Sequence, residues 1–552
     1  MSYVGRPFSL DAVDEHFGRI RDWGFNIVRL LITWEAVEHS GPGLYDEAYL
    51  DFLRQLVVKA RDHSLMVFID PHQDVWSRFT GGDGAPEWTF ELAGLDPSAF
   101  REAQAVQLNS FDWFHNYETV PVATMWTLFW AGDRYCPELR GAQAQLQNAF
   151  IAMLATVASR LADLDNVLGY DSCNEPSGGY IGRGVDLAEP VTHFVGDGSG
   201  PRPWSALEYL AAGAGNSLAS PDGRTLNPMG KSIWRDGCPW SKAGLWSLDR
   251  AGHPRLQQED CFTTFEGRPV DLWGDFMVPF LGHLAQALRV QDPDAILFIE
   301  PPPHYLESSG LDIAACCDAR HWYDLPTLST RRFEVEAYRT ADGLTVSGIA
   351  EIADQFRREL GCLKTWSADH MPNAPMLVGE FGVPYDINGK SAYRSGDYSQ
   401  QRAALEASYR ALEANLLSST QWNYSASNTH EHGDGWNFED LSIWSQDDLT
   451  DSGGAGAGAR ATEAFCRPYV MRSAGRPLLM SFNGETGEFR LIIEADSQVM
   501  APTEVFVPRI HYGITPRITV SAGAVQFDLE HQRMQWTGIA NKERAELQIH
   551  RG

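Results

Sequence analysis

The chain has 552 residues, 43% of them hydrophobic and 11% aromatic, which is ample for a buried core and excludes wholesale disorder. One α/β barrel can take up most of this length by itself. The formal net charge of −29 repels phosphate backbones and anionic headgroups, so nucleic acid is excluded as a natural partner and the acidic surface reads as a solubility device.

From the start to about residue 427, apolar β-branched runs alternate with longer amphipathic stretches. Apolar residues three and four apart predict helices over residues 11–23, 46–62 and 146–161. Strands are predicted at 26–32 (NIVRLLI), 65–70 (LMVFID), 167–172 (VLGYDS), 295–300 (AILFIE), 319–324 (ARHWYD), 376–381 (MLVGEF) and 420–424 (TQWNY). Such alternation implies parallel strands with helical crossovers, and the fold class expected is a (β/α)8 TIM barrel. Seven strands are legible and a closed barrel needs eight. The eighth has to precede Asn26, where residues 1–8 alone are available: either they form an irregular first strand, or the chain as given starts after it.

Residues 81–136, 178–259 and 425–460 read as long insertions in barrel loops, the last ending in the low-complexity run 453–459 (GGAGAGA). From about Thr462 the pattern changes to short alternating runs at 488–494, 503–507, 517–521, 524–529 and 545–550. These predict a small antiparallel β-sandwich, more a structural cap than a binding module. The division expected is a catalytic barrel over residues 1–460 and a sandwich over 461–552.

No run approaches the roughly 20 apolar residues of a membrane span, and residues 1–10 lack the apolar segment of a secretory signal. The eight cysteines include no CxxC pair, so neither a disulfide framework nor a zinc site is expected. A soluble protein of the cytoplasm or vacuole is the expectation.

Two carboxylates carry the chemistry. Glu175, in Asn174-Glu175-Pro176, directly follows a strand, and Pro176 ends the ladder. Glu380 closes the apolar run LVGEF, where a carboxylate is costly unless it faces a polar cleft or a partner. Two such Glu on parallel strands can face one another across a cleft, the arrangement a retaining glycosidase needs. Other strand ends add Arg29 to orient a carboxylate, then His72 and Asp74, His321 and Tyr323, and Trp422 as a stacking floor for a sugar ring. Asn174 is placed to bond a substrate hydroxyl.

Arg, His, NEP, HxY, GE and Trp on successive strands resemble glycoside hydrolase family 5, of clan A. The runs VGRPFSLDAVDEHFGRIRDWGFNIVRLLITWEAVEH, DPHQDVWSRFTGGDGAPEWT, DSCNEPSGGYIG and GEFGVPYDING look like fungal endoglycoceramidase-related proteins, β-glucosidases of the glucosylceramidase or steryl β-glucosidase type. The resemblance implies Glu175 as acid/base and Glu380 as nucleophile, with Asn174 on the 2-hydroxyl. It also implies His72, Asp74, Trp130 and Trp422 around the glucose. Residues 433–437 (GDGWN) look like a last-loop segment near the same subsite, and Trp76, Phe79, Trp88, Phe129 and Trp240 are expected to form an apolar approach for a lipid. The resemblance begins just after the first strand of such relatives.

The activity expected is double displacement on β-glucosides with hydrophobic aglycones, glucosylceramide or a steryl β-glucoside. The expected partner is therefore a small-molecule or lipid β-glucoside, with transient contact to lipid surfaces, and no metal or organic cofactor is expected. The rivals are other hydrophobic glucosides such as flavonoid glycosides, an endoglycoceramidase, a β-1,4-glucanase and a catalytically silent glycolipid-binding protein.

Overall fold

The computed structural model describes residues 5–108, 113–190, 203–301, 311, 313–435, 439–449, 456–496, 498–539 and 544–552. Helix α1 (Val13–Asp22) turns Val13, Phe17 and Ile20 inward, with Asp14 and Glu15 in its first turn and Arg19 and Arg21 in its last, each matched to the helix dipole. Strand β1 (Ile27–Thr33) follows. Asp46 then caps α2 (Glu47–Asp62) by accepting the Tyr49 N–H, and Leu50, Leu53, Val57 and Ala60 form its buried stripe. The alternation continues with β2 (Met66–His72), α3 (Val120–Tyr135), α4 (Ala142–Leu161), β3 (Val167–Asp171), α5 (Val278–Gln291) and β4 (Ile296–Ile299). After these come β5 (Cys316–Asp318), α6 (Ile349–His370), β6 (Leu377–Phe381), α7 (Ser399–Asn415) and β7 (Ser418–Gln421).

Strands β1 to β5 make one parallel sheet in chain order. A parallel bridge from Asp318 to Met376 carries the order on to β6, which pairs in parallel with β7. The seven strands therefore share one carboxyl-terminal edge. Close pairing depends on Gly169, where a Cβ would meet the Ile296 carbonyl oxygen at 1.9 Å.

Two strand readings are corrected. The fifth strand is Cys316–Asp318, not residues 319–324. The buried Cys316 and Cys317 pair with Leu297 and Phe298, and Asp318 then takes the Arg320 guanidinium at 2.7 Å and ends the regular ladder. Strand β7 spans Ser418–Gln421, so Trp422 to Tyr424 lie beyond its end. Residues 5–8, the described part of the segment offered for an eighth strand, form no strand; they line a cavity of about 220 Å³ between β1 and β7.

The carboxyl-terminal region holds two antiparallel four-stranded sheets. One has the order β8 (Tyr469–Arg472), β11 (Thr503–Phe506), β14 (Arg533–Thr537), β13 (Ala524–Asp528). The other runs β9 (Gly475–Asn483), β10 (Glu488–Ala495), β15 (Ala545–His550), β12 (Arg517–Val520). Phe489, Leu491, Val505, Met534, Trp536, Leu547 and Ile549 come from both sheets into one apolar core. The region is pinned to α7 by the buried Arg467, which lies 2.6 Å from both Glu406 and Glu413. The Tyr469 hydroxyl bonds the Gly24 carbonyl at 2.7 Å, fixing it to the turn before β1 as well. All eight cysteines are free, and no helix among the described residues is long and apolar enough to cross a membrane.

Candidate active site

Parallel strands deliver their last residues to one edge, and here that edge is densely polar. Arg29 sits on β1, Asp70 and His72 end β2, Asp171 ends β3, Glu300 follows β4 and Glu380 lies on β6. Asn174 and Glu175 follow β3, while His321 and Tyr323 lie on the extended segment past β5. The Trp322 N–H bonds the Glu380 carbonyl at 2.9 Å, so neighbours in sequence on that segment flank Glu380.

Glu380 is buried and held from three directions. Arg29 Nη1 donates to Oε1 at 2.5 Å, the Tyr323 hydroxyl donates to Oε2 at 2.8 Å, and His321 Nδ1 lies 3.4 Å from Oε2. Glu175 is the more open of the two, its side chain 18% exposed, and its Oε1 lies 2.9 Å from the same His321 nitrogen. One carboxylate oxygen of each Glu and a ring nitrogen of His321 fall within 4.8 Å of one another. The Glu175 backbone has a φ of 36°, a region non-glycine residues seldom occupy.

Burial raises Glu380 above the ordinary Glu value, while His321 and Arg29 pull against it. Burial opposes a charge on His321, but Glu300 and then Glu380 outweigh it and hold the imidazolium well above the usual histidine range. Burial, then Glu380, keeps Tyr323 a neutral phenol that can donate. Burial, then Glu300, also raises Asp171 well above the ordinary Asp range. Burial likewise opposes Glu300's charge, but His321 and Arg29 prevail and hold it ionised. Asp70, Asp171 and Glu300 each offer an oxygen within 4.8 Å of the others, but the cation among them is Arg29, at 3.1 Å from Asp70 and 2.6 Å from Glu300.

Asn174 is 1% exposed; it accepts from Arg29 at 2.9 Å and donates to the Gln73 carbonyl at 2.9 Å. His72 is clasped by Asp70 at 2.8 Å and Asp74 at 3.3 Å, and its ring stacks on Trp422 with centroids 5.3 Å apart. Burial again opposes the charge, and Asp70 and Asp74 outweigh it to hold His72 well above its usual range. Trp422 is half-buried, and the next residue, Asn423, donates to Asp434 at 2.9 Å. Trp130 stands apart from these. It is 1% exposed and reaches the site through its indole N–H, which donates to the Ser177 carbonyl at 2.8 Å. Of residues 433–437, Trp436 and Asn437 lie outside the described residues.

Sequence reasoning passed over Asp70, Asp171, Glu300 and Gln73. Asp70 and Glu300 close the apolar runs LMVFID and AILFIE, the same signal that marked Glu380, and it applied to all three. The aromatic approach needs correction: Trp76, Phe129 and Trp240 are buried in the core, Trp240 completely, while Phe79 and Trp88 are half-buried. The cavity between β1 and β7 is lined by Arg29 and Glu380 together with Phe8, Phe17, Ile27 and Tyr424.

A carboxylate gripped by a guanidinium and a phenol, facing a second carboxyl within 5 Å, can attack a carbon while its neighbour moves a proton. Comparison with known proteins agrees with such chemistry. Residues 5–195 match the model of cellulase (glycosyl hydrolase family 5), and residues 467–549 match that of the glycoside hydrolase family 5 C-terminal domain. A glucosylceramidase of Rhizopus delemar is 34% identical over 97% of this chain and 86% of its own. An ergosteryl-beta-glucosidase of Saccharomyces cerevisiae is 28% identical over 97% of this chain and 88% of its own. The crystal structure of Cryptococcus neoformans sterylglucosidase 1 superposes with a TM-score of 0.89 at 30% identity, covering 99% of this chain and 90% of that one.

Proposed function

The chain belongs to glycosyl hydrolase family 5, and on that footing we propose that it is a retaining β-glucosidase for β-glucosides with hydrophobic aglycones, glucosylceramide or steryl β-glucosides. The observation that carries the reading is the approach of Glu175 and Glu380 to within 4.8 Å, with His321 between them. Retaining enzymes hold their carboxyl groups about 5–5.5 Å apart, whereas inverting enzymes leave about 6.5–9.5 Å for a water.

In this proposal Glu380 attacks the anomeric carbon and forms a glucosyl ester, while protonated Glu175 gives its proton to the departing glycosidic oxygen. Glu175 then takes a proton from water, the water oxygen bonds the anomeric carbon, and Glu380 leaves as the carboxylate. The donors on Glu380 support its role as nucleophile, since Arg29 and Tyr323 fix both oxygens and favour the ionised form. His72, Asp74, Asn174 and Trp422 line the glucose in this reading, with His321 between the carboxyls. Trp130 acts on the site by holding Ser177, two residues past Glu175.

The parallel order of seven strands supports a (β/α)8 barrel as the catalytic unit over residues 1–460, with the antiparallel sheets as a sandwich over 461–552. Substrates of this class sit in bilayers, so transient contact with lipid surfaces belongs to the same proposal.

The test is to incubate the protein with 4-methylumbelliferyl β-glucoside, glucosylceramide, a steryl glucoside and lactosylceramide, and to identify sugar and aglycone. Glucose is expected from the first three; lactose from the fourth would mark an endoglycoceramidase instead. Glu380→Gly should be rescued by azide with α-glucosyl azide as product. A β-configured azide, or wild-type rates in Glu175→Ala or Glu380→Ala, would sink the assignment.

A further inference from the structure

We propose that Glu300 is a positioning residue that sets the Glu175 carboxyl against the leaving-group oxygen, a role that rests on Glu175 being the acid/base. Glu300 is 2% exposed and reaches Glu175 by two routes. Its Oε2 accepts the Glu175 backbone N–H at 2.8 Å. Its Oε1 lies 3.1 Å from His321 Nε2, and the other nitrogen of that ring is 2.9 Å from the Glu175 carboxyl.

The first route matters because of the Glu175 backbone. At a φ of 36° the peptide occupies a conformation that persists only when its surroundings enforce it. Glu300 holds the N–H, and Gln73 Nε2 holds the carbonyls of Asn174 at 2.8 Å and Glu175 at 3.1 Å. The residue is thus clamped at both ends, and one clamp is a carboxylate just past the neighbouring strand β4.

A plain ion pair with Arg29 does not account for this placement. Arg29 Nη2 does bond Oε1 at 2.6 Å, but Asp70 at 3.1 Å and Glu380 at 2.5 Å already serve that guanidinium. The Glu300 oxygen that faces Glu175 bonds a main-chain amide instead. The Ser172 hydroxyl, which accepts the Glu300 N–H at 3.2 Å, fixes Glu300 from behind. No contact of Glu300 requires the substrate, so it acts through Glu175 and His321.

The test is a comparison of leaving groups. A 2,4-dinitrophenolate departs without a proton, whereas an alkoxide needs one, so damage confined to acid catalysis spares kcat/KM on 2,4-dinitrophenyl β-glucoside and falls on octyl β-glucoside. Glu300→Gln is expected to lose about 100-fold on the octyl substrate, the scale of general acid catalysis, and under about threefold on the dinitrophenyl one. Glu300→Asp keeps the charge but withdraws the carboxylate from the amide; it should show the same split, and it carries the test if the Gln variant does not fold. Equal losses on both substrates, or no loss on the octyl glucoside, would overturn the proposal. Glu175→Gln run alongside separates the two failures. If it too shows no split, the acid/base assignment has fallen; if it shows one and the Glu300 variants do not, only this inference has.

Discussion

Replacing Arg29 with Met removes a cation from among buried carboxylates while nearly preserving the volume of the side chain. Arg29 is 4% exposed and lies 3.1 Å from Asp70, 2.6 Å from Glu300 and 2.5 Å from Glu380. Asp171 lies 3.5 Å away, and burial followed by Glu300 raises its carboxyl well above the ordinary Asp range. Breaking a buried pair by deleting one partner costs about 3–5 kcal/mol, because the other charge stays behind uncompensated. Three carboxylates stay behind here with His72 and His321 as the remaining cations beside them, so the expected loss is about 3–5 kcal/mol at pH 8. They can relieve the repulsion by binding protons, so their folded pKa values rise above the unfolded ones. A raised folded pKa gives stability that is present at low pH and lost as pH climbs through it. The deficit should therefore shrink between pH 8 and pH 5, by about 0.7 kcal/mol for one group shifted by one unit and by more for a larger shift. Urea unfolding of variant and wild type at both pH values, followed by tryptophan fluorescence, measures the difference. A loss under about 1 kcal/mol at pH 8, or the same loss at both pH values, would refute the charge-balance argument.

Tyr323→Phe removes a neutral donor from a carboxylate, a bond worth about 1.5–3 kcal/mol. That bond is regained as Glu380 departs, so breakdown of the glucosyl ester should slow by about 10- to 150-fold and a burst of aglycone should appear in rapid-mixing assays; unchanged kcat contradicts it. Glu380 must be ionised to attack, and burial raises it, so the acid limb of kcat/KM should have its midpoint above the ordinary Glu value of 4.5. Activity is present above that midpoint and lost below it, and a midpoint under 4.5 in a pH profile counts against Glu380. Burial depresses His511 from 6.5 to about 4, so the unfolded chain binds its proton first and stability falls as pH drops from 6.5 towards 4. The gap is worth about 3 kcal/mol, and His511→Gln, which keeps a donor for the Glu463 carbonyl, should flatten the fall of Tm over that range. Gly379→Ala would place a Cβ 2.1 Å from the Ala319 carbonyl oxygen and should prize β6 from the segment after β5, with loss of both Tm and activity; a wild-type Tm would show that the segment gives way.

The parallel order of the strands and the positions of Glu175 and Glu380 were legible because each signal is local. Apolar runs mark strands, and a carboxylate ending such a run is too costly to be idle. The carboxyl-terminal sheets were legible in part for the same reason: 545–550 alternates buried and half-buried residues along its whole length, whereas Gly475–Asn483 begins with Gly-Arg-Pro and reads as a turn. The fifth strand was misplaced because its residues, Cys316-Cys317-Asp318, have little β signature, while the aromatic segment beyond them resembles a strand but serves the site. The loop aromatics misled for a different reason. Trp76 and Trp240 look alike whether they meet a lipid or a neighbouring indole, and only the packing of Trp76 on Trp126 at 5.1 Å decides it.

The residues that sequence reasoning passed over explain how those it found can work. A desolvated site penalises every charge it contains, and Arg29, His72 and His321 are all buried. Each is kept charged by a carboxylate on its far side: Asp70 behind His72, Glu300 behind His321, and both beside Arg29. The cations thus stand fixed before any substrate arrives and, in the proposed reaction, need not reorganise as charge develops at the anomeric centre and on Glu380. The same reasoning assigns Asp171 its place. A fourth charge around Arg29 has no cation of its own, and burial followed by Glu300 raises the Asp171 carboxyl well above its ordinary range. The proposed catalytic pair rests on a layer of carboxylates that keep its neighbours ionised, and a search for reactive residues alone does not look there.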